Sequence, residues 1–219
     1  MIEKVNQSAR GDRSYGQFCA LARSLDVVGD RWTLLIVREL LAGPMRYTDL
    51  RKSLGGIATN LLADRLRTME ERGVVERRLV DSGVLYALTP WGLGLREPLE
   101  ALGRWGAPLL ASGPGEDAFQ PRWLTLALPA LLRGATATPP VELGIEVDGF
   151  LIVLRVDEDG PHASVPADTA ATDAVPATVL VAAPGVIVAL ATGALTVEQA
   201  LAVGHLEGER DVLRTVFGD

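Results

Sequence analysis

The stretch IATNLLADRLRTMEERGVVERRLV, residues 57–80, changes its apolar period midway. Leu61, Leu62, Leu66 and Met69 recur at helical spacing behind Thr59, a residue type that caps helices, and Gly73 closes the run. VVERRLV (74–80) then alternates as a strand does, Asp81-Ser82-Gly83 makes a tight turn, and VLYALT (84–89) returns as the partner strand. Five arginines fall in these 24 residues although the whole chain carries a net charge of −7. The basic groups therefore belong to one local element.

The residues upstream continue the helical pattern. Ala20, Leu21, Leu25 and Val28 give a helix over 18–28 that Gly29 stops, and Asp30 is placed to cap RWTLLIVRELLAG, whose inner face is Trp32, Leu35, Ile36 and Leu40. Gly43-Pro44 ends that helix. Thr48 starts DLRKSL, which runs to Gly55-Gly56. Downstream, Thr89-Pro90 caps a long apolar helix expected from Trp91 to about Ala111. Helices followed by a basic hairpin make a winged helix-turn-helix, in which the second helix of the turn enters the major groove and the hairpin reaches the adjacent backbone or minor groove. Arginines on both would meet phosphates and base edges. Asp64, Glu70 and Glu71 stand close to Arg65, Arg67 and Arg72 along the helix, so solvated ion pairs are the competing use of the same residues.

Composition bounds the rest. At 219 residues and 48% hydrophobic content the chain is long enough for two small domains. Residues 1–113 hold 16 basic and 13 acidic side chains, whereas residues 114–219 hold 5 and 15, so the acidity belongs to the second half. That asymmetry fits nucleic-acid binding by the first. The expected division is a flexible tail over 1–17, a DNA-binding and dimerisation domain over 18–112, a linker over 113–121 and a second domain over 122–219. PADTAATDAVPAT (166–178) reads as a small-residue loop.

Residues 179–197 are long enough to span a bilayer but are broken by Pro184, Gly185 and Gly193, and the first residues lack the apolar core of a secretory signal. No membrane partner and a cytoplasmic location are expected. Cys19 is the single cysteine, which rules out an internal disulfide. His162 and His205 stand in no metal-ligand spacing, and no nucleophile elbow, phosphate loop or dinucleotide fingerprint occurs. Neither an enzyme nor a bound cofactor or metal is expected.

Residues 19–78, from CALARSLDVVGDRW through RELLAGPMRYTDL to LADRLRTMEERGVVERR, followed by YALTPWG, closely resemble the HxlR-type winged-helix transcriptional regulators, relatives of the MarR and ArsR groups. The resemblance covers about residues 19–108. It implies a homodimer joined by its first and fifth helices that binds a near-palindromic double-stranded operator; repression relieved by ligand is the expected direction, with activation as the alternative. By position it places DNA contacts on Arg46, Tyr47, Thr48, Ala58, Thr59, Asn60, Arg65, Arg77 and Arg78. It also sets Cys19 where some such regulators carry a redox- or electrophile-sensing cysteine, and a thiol at a helix N-terminus has a lowered pKa.

The second half begins with an apolar helix, PRWLTLALPALLRG, then VELGIEVDGFLIVLRVDEDG as two strands turning at Asp148-Gly149, ATVLVAA as another strand, and short helices around the glycines that follow. Its end, ALATGALTVEQALAVGHLEGERDVLRTVFG, resembles the sterol-carrier-protein type-two fold. This implies an α/β sheet with helices on one face and an apolar cavity for a hydrophobic small-molecule effector, lined by Trp123, Leu126, Ile152, Leu154, Val188, Leu190, Leu201 and Phe217. The fold class expected is thus α+β, a winged helix-turn-helix domain followed by a sterol-carrier-like sheet domain. Two modes of control follow: the effector acts through the second domain, or that domain is structural and Cys19 senses oxidants or electrophiles.

Overall fold

The computed structural model describes residues 14–81, 83–112, 115–166 and 175–218, with backbone only at residues 111 and 112. Most of the expected N-terminal tail, Ser82 of the hairpin turn, Gly113 and Pro114 of the linker, and 167–174 of the small-residue loop lie outside the described residues. The chain divides into two compact units after Leu95, earlier than the joint expected near Gly113.

The first unit runs α1 (Ala20–Val28), α2 (Thr33–Leu41), α3 (Tyr47–Leu54), α4 (Thr59–Glu71), β1 (Val75–Val80), β2 (Gly83–Leu88) and α5 (Pro90–Leu93). Its core is built from Ile36, Val37 and Leu40 of α2, Leu50 of α3, and Leu62, Leu66 and Met69 of α4, all at most 3% exposed. The two strands pair antiparallel from Val75↔Leu88 to Val80↔Gly83. Met45 adds a third, short ladder step by exchanging backbone hydrogen bonds with Tyr86 at 3.0 and 2.8 Å.

The expected caps shift by a residue or two. Asp30 does not sit at the N-cap of α2: its carboxylate accepts from the Trp32 N–H at 3.0 Å, and Trp32 holds the cap position. Arg46 precedes α3 and Ala58 precedes α4 where Thr48 and Thr59 were expected. Thr89 does cap, accepting from Gly92 N at 3.1 Å, but the long helix behind it ends at Leu93 and restarts at Arg96. Gly92 is forced by a close approach: a Cβ there would lie 2.1 Å from the Val74 carbonyl oxygen. The last residues of the expected tail bond to α1. Ser14 Oγ and Tyr15 N both donate to the Asp26 carboxylate at 2.9 Å.

The second unit contains α6 (Arg96–Gly106), a 3₁₀ segment (Ala107–Ser112), a 3₁₀ turn (Pro121–Trp123), α7 (Leu124–Leu131), β3 (Val141–Val147), β4 (Phe150–Asp157), β5 (Gly160–Ser164), β6 (Val179–Val181), α8 (Pro184–Ala191), α9 (Val197–Leu201), β7 (His205–Glu207) and α10 (Arg210–Phe217). The sheet order is β5-β4-β3-β6-β7. β3 and β6 are parallel and every other pair is antiparallel. Asp148 and Gly149, with φ of 52° and 75°, supply the left-handed pair that a two-residue hairpin needs.

Period-2 alternation decides which face is covered. Leu143, Ile145 and Val147 of β3 and Ile152, Leu154 and Val156 of β4 are all 0% exposed and pack with Leu124 and Leu128 of α7, Ile187 and Leu190 of α8, Val197 of α9, and Leu213 and Val216 of α10. At about 1.5–3 kcal/mol for each fully buried large aliphatic side chain, this one cluster dominates the unit's stability. The five-residue α9 holds through a capping box in which Thr196 and Gln199 bond reciprocally at 3.2 and 2.9 Å. Among the described residues, no helix is long and apolar enough to cross a membrane.

Candidate nucleic-acid interface

The turn between α3 and α4 is Gly55-Gly56, with φ of 49° and 69°, a conformation that side-chain-bearing residues rarely adopt. It is braced twice. The Tyr47 hydroxyl donates to the Thr59 carbonyl at 2.6 Å, fixing the first turn of α4 to the first turn of α3. Glu39 of α2, 0% exposed, receives the Ser53 hydroxyl of α3 at 2.5 Å and Arg38 Nη2 at 2.7 Å. A buried carboxylate survives only with such partners. Glu39 was not singled out from sequence, because an acid in an amphipathic helix reads as surface; its place in the α2 periodicity, three residues after Ile36, is the signal that could have found it.

With α4 pinned in this way, its three faces separate. Leu62, Leu66 and Met69 point into the core, while Asn60, Ala63, Asp64 and Arg67 form the exposed outer row. Arg67 Nη2 and Asp64 Oδ1 pair across that row at 2.9 Å. The third face looks back at α1 and the α1–α2 turn: Arg65 Nη2 reaches Asp30 at 2.9 Å, and Arg72 Nη1 donates to the Asp26 carbonyl. Arg65 is therefore placed away from the outer row. Arg67, one helical turn beyond Ala63 and two beyond Asn60, occupies the outward position that the expected set omitted.

Arg46, Thr48, Ala58, Thr59 and Asn60 are all exposed around the start of α3 and α4, with Tyr47 half-buried. In the hairpin Arg77 and Arg78 are exposed and, being consecutive in a strand, point to opposite faces. Arg77 bonds Glu70 of α4, Nε to both carboxylate oxygens at 2.9 Å and Nη2 at 2.7 Å, which holds the Glu70 carboxyl below its usual range. Arg78 pairs with Glu76 at 2.7 Å. Arg46 joins the wing: a Cβ on Gly83 would come within 4.0 Å of its Nη1. Exposed pairs of this kind hold about 0–1 kcal/mol each, so exchanging a carboxylate for a phosphate is energetically easy.

Cys19 sits at the N-cap of α1 and is exposed. The backbone N–H groups of Ala22, chiefly, and of Leu21 lower its thiol pKa. In the second unit, Ile152, Leu154 and Leu190 are part of the packed core, with Val188, Leu201 and Phe217 against it and Trp123 and Leu126 half-buried. Neither the cleft beside Arg104 and Arg133 nor the one beside Thr138 and Arg155 includes any of these eight. His162 and His205 are exposed beside Asp157 and Glu207, each at 3.7 Å. Among the described residues no cluster of His, Cys, Asp and Glu is arranged to hold a metal.

Residues 27–113 match the HxlR-like helix-turn-helix family. The chain is 32% identical over 104 residues to the HTH-type transcriptional regulator YtfH of Escherichia coli K12, covering 46% of this chain and 82% of YtfH. It is 29% identical over 85 residues to the HTH-type transcriptional regulator YodB of Bacillus subtilis, 37% of this chain and 76% of that one. The crystal structure of quinone-bound YodB from B. subtilis superposes with a TM-score of 0.37 at 28% identity, over 40% of this chain and 96% of that one. With YtfH matched at 32% identity over 82% of its length, and with the family model matching residues 27–113, the chain belongs to the HxlR-like helix-turn-helix family of DNA-binding transcriptional regulators.

Proposed function

We propose that the protein is a homodimeric repressor whose two α4 helices enter successive major grooves of a near-palindromic operator, and whose second unit receives a hydrophobic small-molecule effector. The observation that carries the DNA reading is the outer row Asn60, Ala63, Asp64 and Arg67, held by Tyr47 and flanked by Arg46, Arg77 and Arg78. Arg46, Thr48, Thr59, Asn60, Arg77 and Arg78 contact DNA in this reading; Tyr47 and Arg65 orient the helix.

Phe18, just ahead of α1, and Leu21 and Leu25 within it support the dimer: they are 106%, 68% and 40% exposed, apolar surface that a second copy would cover. An α/β sheet with helices on one face supports a sterol-carrier-like second unit. The test is gel retardation of DNA from the protein's own upstream region, with lipid-rich extract as competitor. Retention of the shift by Asn60→Ala would overturn the assignment of α4.

The exposed Cys19, with its thiol pKa lowered at a helix start, favours a second reading in which oxidation or electrophile addition controls release. Peroxide or quinone treatment then abolishes the shift of the wild type and not of Cys19→Ser.

A further inference from the structure

From residue 96 onward the chain has seven arginines, and three of them, Arg96, Arg104 and Arg133, converge on one cleft of about 310 Å³ in the second unit. Arg96, Glu100 and Arg104 face it from one side of α6 at i, i+4 and i+8, Arg133 comes from the end of α7, and His162 from β5. Pro129 and Pro161 give it apolar walls, while Glu97 and Asp159 at its border are exposed. Among the described residues neither Arg104, which is half-buried, nor Arg133 makes an ion pair or hydrogen bond. Glu100 is the one carboxylate set deep between them. Burial pushes its carboxyl up while Arg96, at 3.9 Å, and Arg104 pull it down, and this single deep carboxylate is outnumbered by the three guanidinium groups of the cleft. Like charges gathered beside a partly desolvated wall repel unless an anion joins them.

We propose that this cleft binds the carboxylate of a small organic acid, anchored by Arg104 and Arg133, with its hydrocarbon part against Pro129 and Pro161. The proposal rests on reading the second unit as an effector domain, and it gives the effector a charged end. Guanidinium groups bind carboxylates bidentately, and a volume near 300 Å³ lies at the lower end of ligand pockets, suited to a compact acid. α6 follows the first unit through the two residues Gly94 and Leu95, so a ligand that clamps α6 to α7 and β5 acts on the segment into which the winged helix leads.

The test is calorimetric titration of the full chain with benzoate, phenylacetate, octanoate and inorganic phosphate, on wild type, Arg133→Gln and Arg104→Gln/Arg133→Gln. The expected result is that at least one of the three acids binds more tightly than phosphate, and that Arg133→Gln weakens it about tenfold, the double variant further. Circular dichroism melts establish that the variants are folded; Arg133 is exposed, so that variant keeps the fold if the double one does not. No binding of any acid at millimolar concentration, equal binding by the variants, or phosphate binding as tightly as the acids would each overturn the proposal. Gel retardation by the same variants without acid separates the two readings: an unchanged shift keeps the DNA assignment whatever the titration shows.

Discussion

The two units solve the burial of charge in opposite ways. The first places an acidic side chain, Glu39, at 0% exposure in the middle of its helices and surrounds it with Arg38 and Ser53. The second fills the space between sheet and helices with an apolar cluster, and among the described residues its buried polar side chains are the uncharged Thr125 and Thr178. A directional buried network fixes one helix against another at a defined angle, which a reading helix needs; apolar packing secures stability with less angular definition. The difference teaches where each unit resists change, and substitutions at five positions probe it.

The largest effect is expected in the apolar cluster. Leu154→Ala removes a side chain with 0% exposure and should lower stability by about 3–5 kcal/mol, read as a drop in the midpoint of urea unfolding. If the second unit is loosely packed around a cavity, the loss would be well under that range. Glu39→Ala removes the buried acceptor that Arg38 and Ser53 share and should cost roughly 3 kcal/mol. It should also weaken operator binding, while Glu39→Gln, which retains an acceptor for Ser53, loses less of both. Equal effects of the two on DNA affinity would break the idea that charge at this position sets the angle of α3.

At the surface the effects shrink. Asn60→Ala should cost about 1–3 kcal/mol on a cognate operator and little on random DNA, whereas Arg78→Ala should weaken both alike and reduce the salt slope by about 1. The smallest effect concerns pH. Arg77 holds the Glu70 carboxyl below its usual range, so the stabilisation is present above the ordinary carboxylate pKa and is lost as pH falls through the depressed one. Both partners are partly exposed, at 54% and 32%, and solvent screens the pair. Melting temperature should fall slightly less steeply in acid for Arg77→Gln than for wild type; identical acid limbs would remove the pair from the account.

Sequence patterning carried the first unit far because its signals are local. Apolar spacing placed α1 to α4, alternation and a turn placed the hairpin, and a cap at Thr89 placed α5. What escaped depends on partners distant in the chain. Nothing local says that Arg65 turns toward Asp30, 35 positions earlier, while Arg67 faces out. The long fifth helix failed for a related reason: WGLGLREPLEALGRWG keeps helical spacing through Gly94, and the break shows only when Gly92 is seen pressed on the Val74 carbonyl. In the second unit, Gly160–Ser164 and His205–Glu207 are too short and too polar to stand out as strands. The arginine cleft draws its residues from α6, α7 and β5, elements that no linear motif joins.

Those two inconspicuous strands have a consequence of their own. They are the outermost members of the five-stranded sheet, five and three residues long. An edge strand offers a row of unsatisfied backbone donors and acceptors to any other chain, and long flat edges invite endless addition. Here the row is cut short on both sides, and His205 and Glu207 mark the narrower rim with polar groups. In the proposed reading, where the molecule pairs once with a second copy, this keeps it from stacking into filaments through its sheet. Extending β7 by a few β-branched residues should turn a clean species into one whose light scattering climbs with concentration.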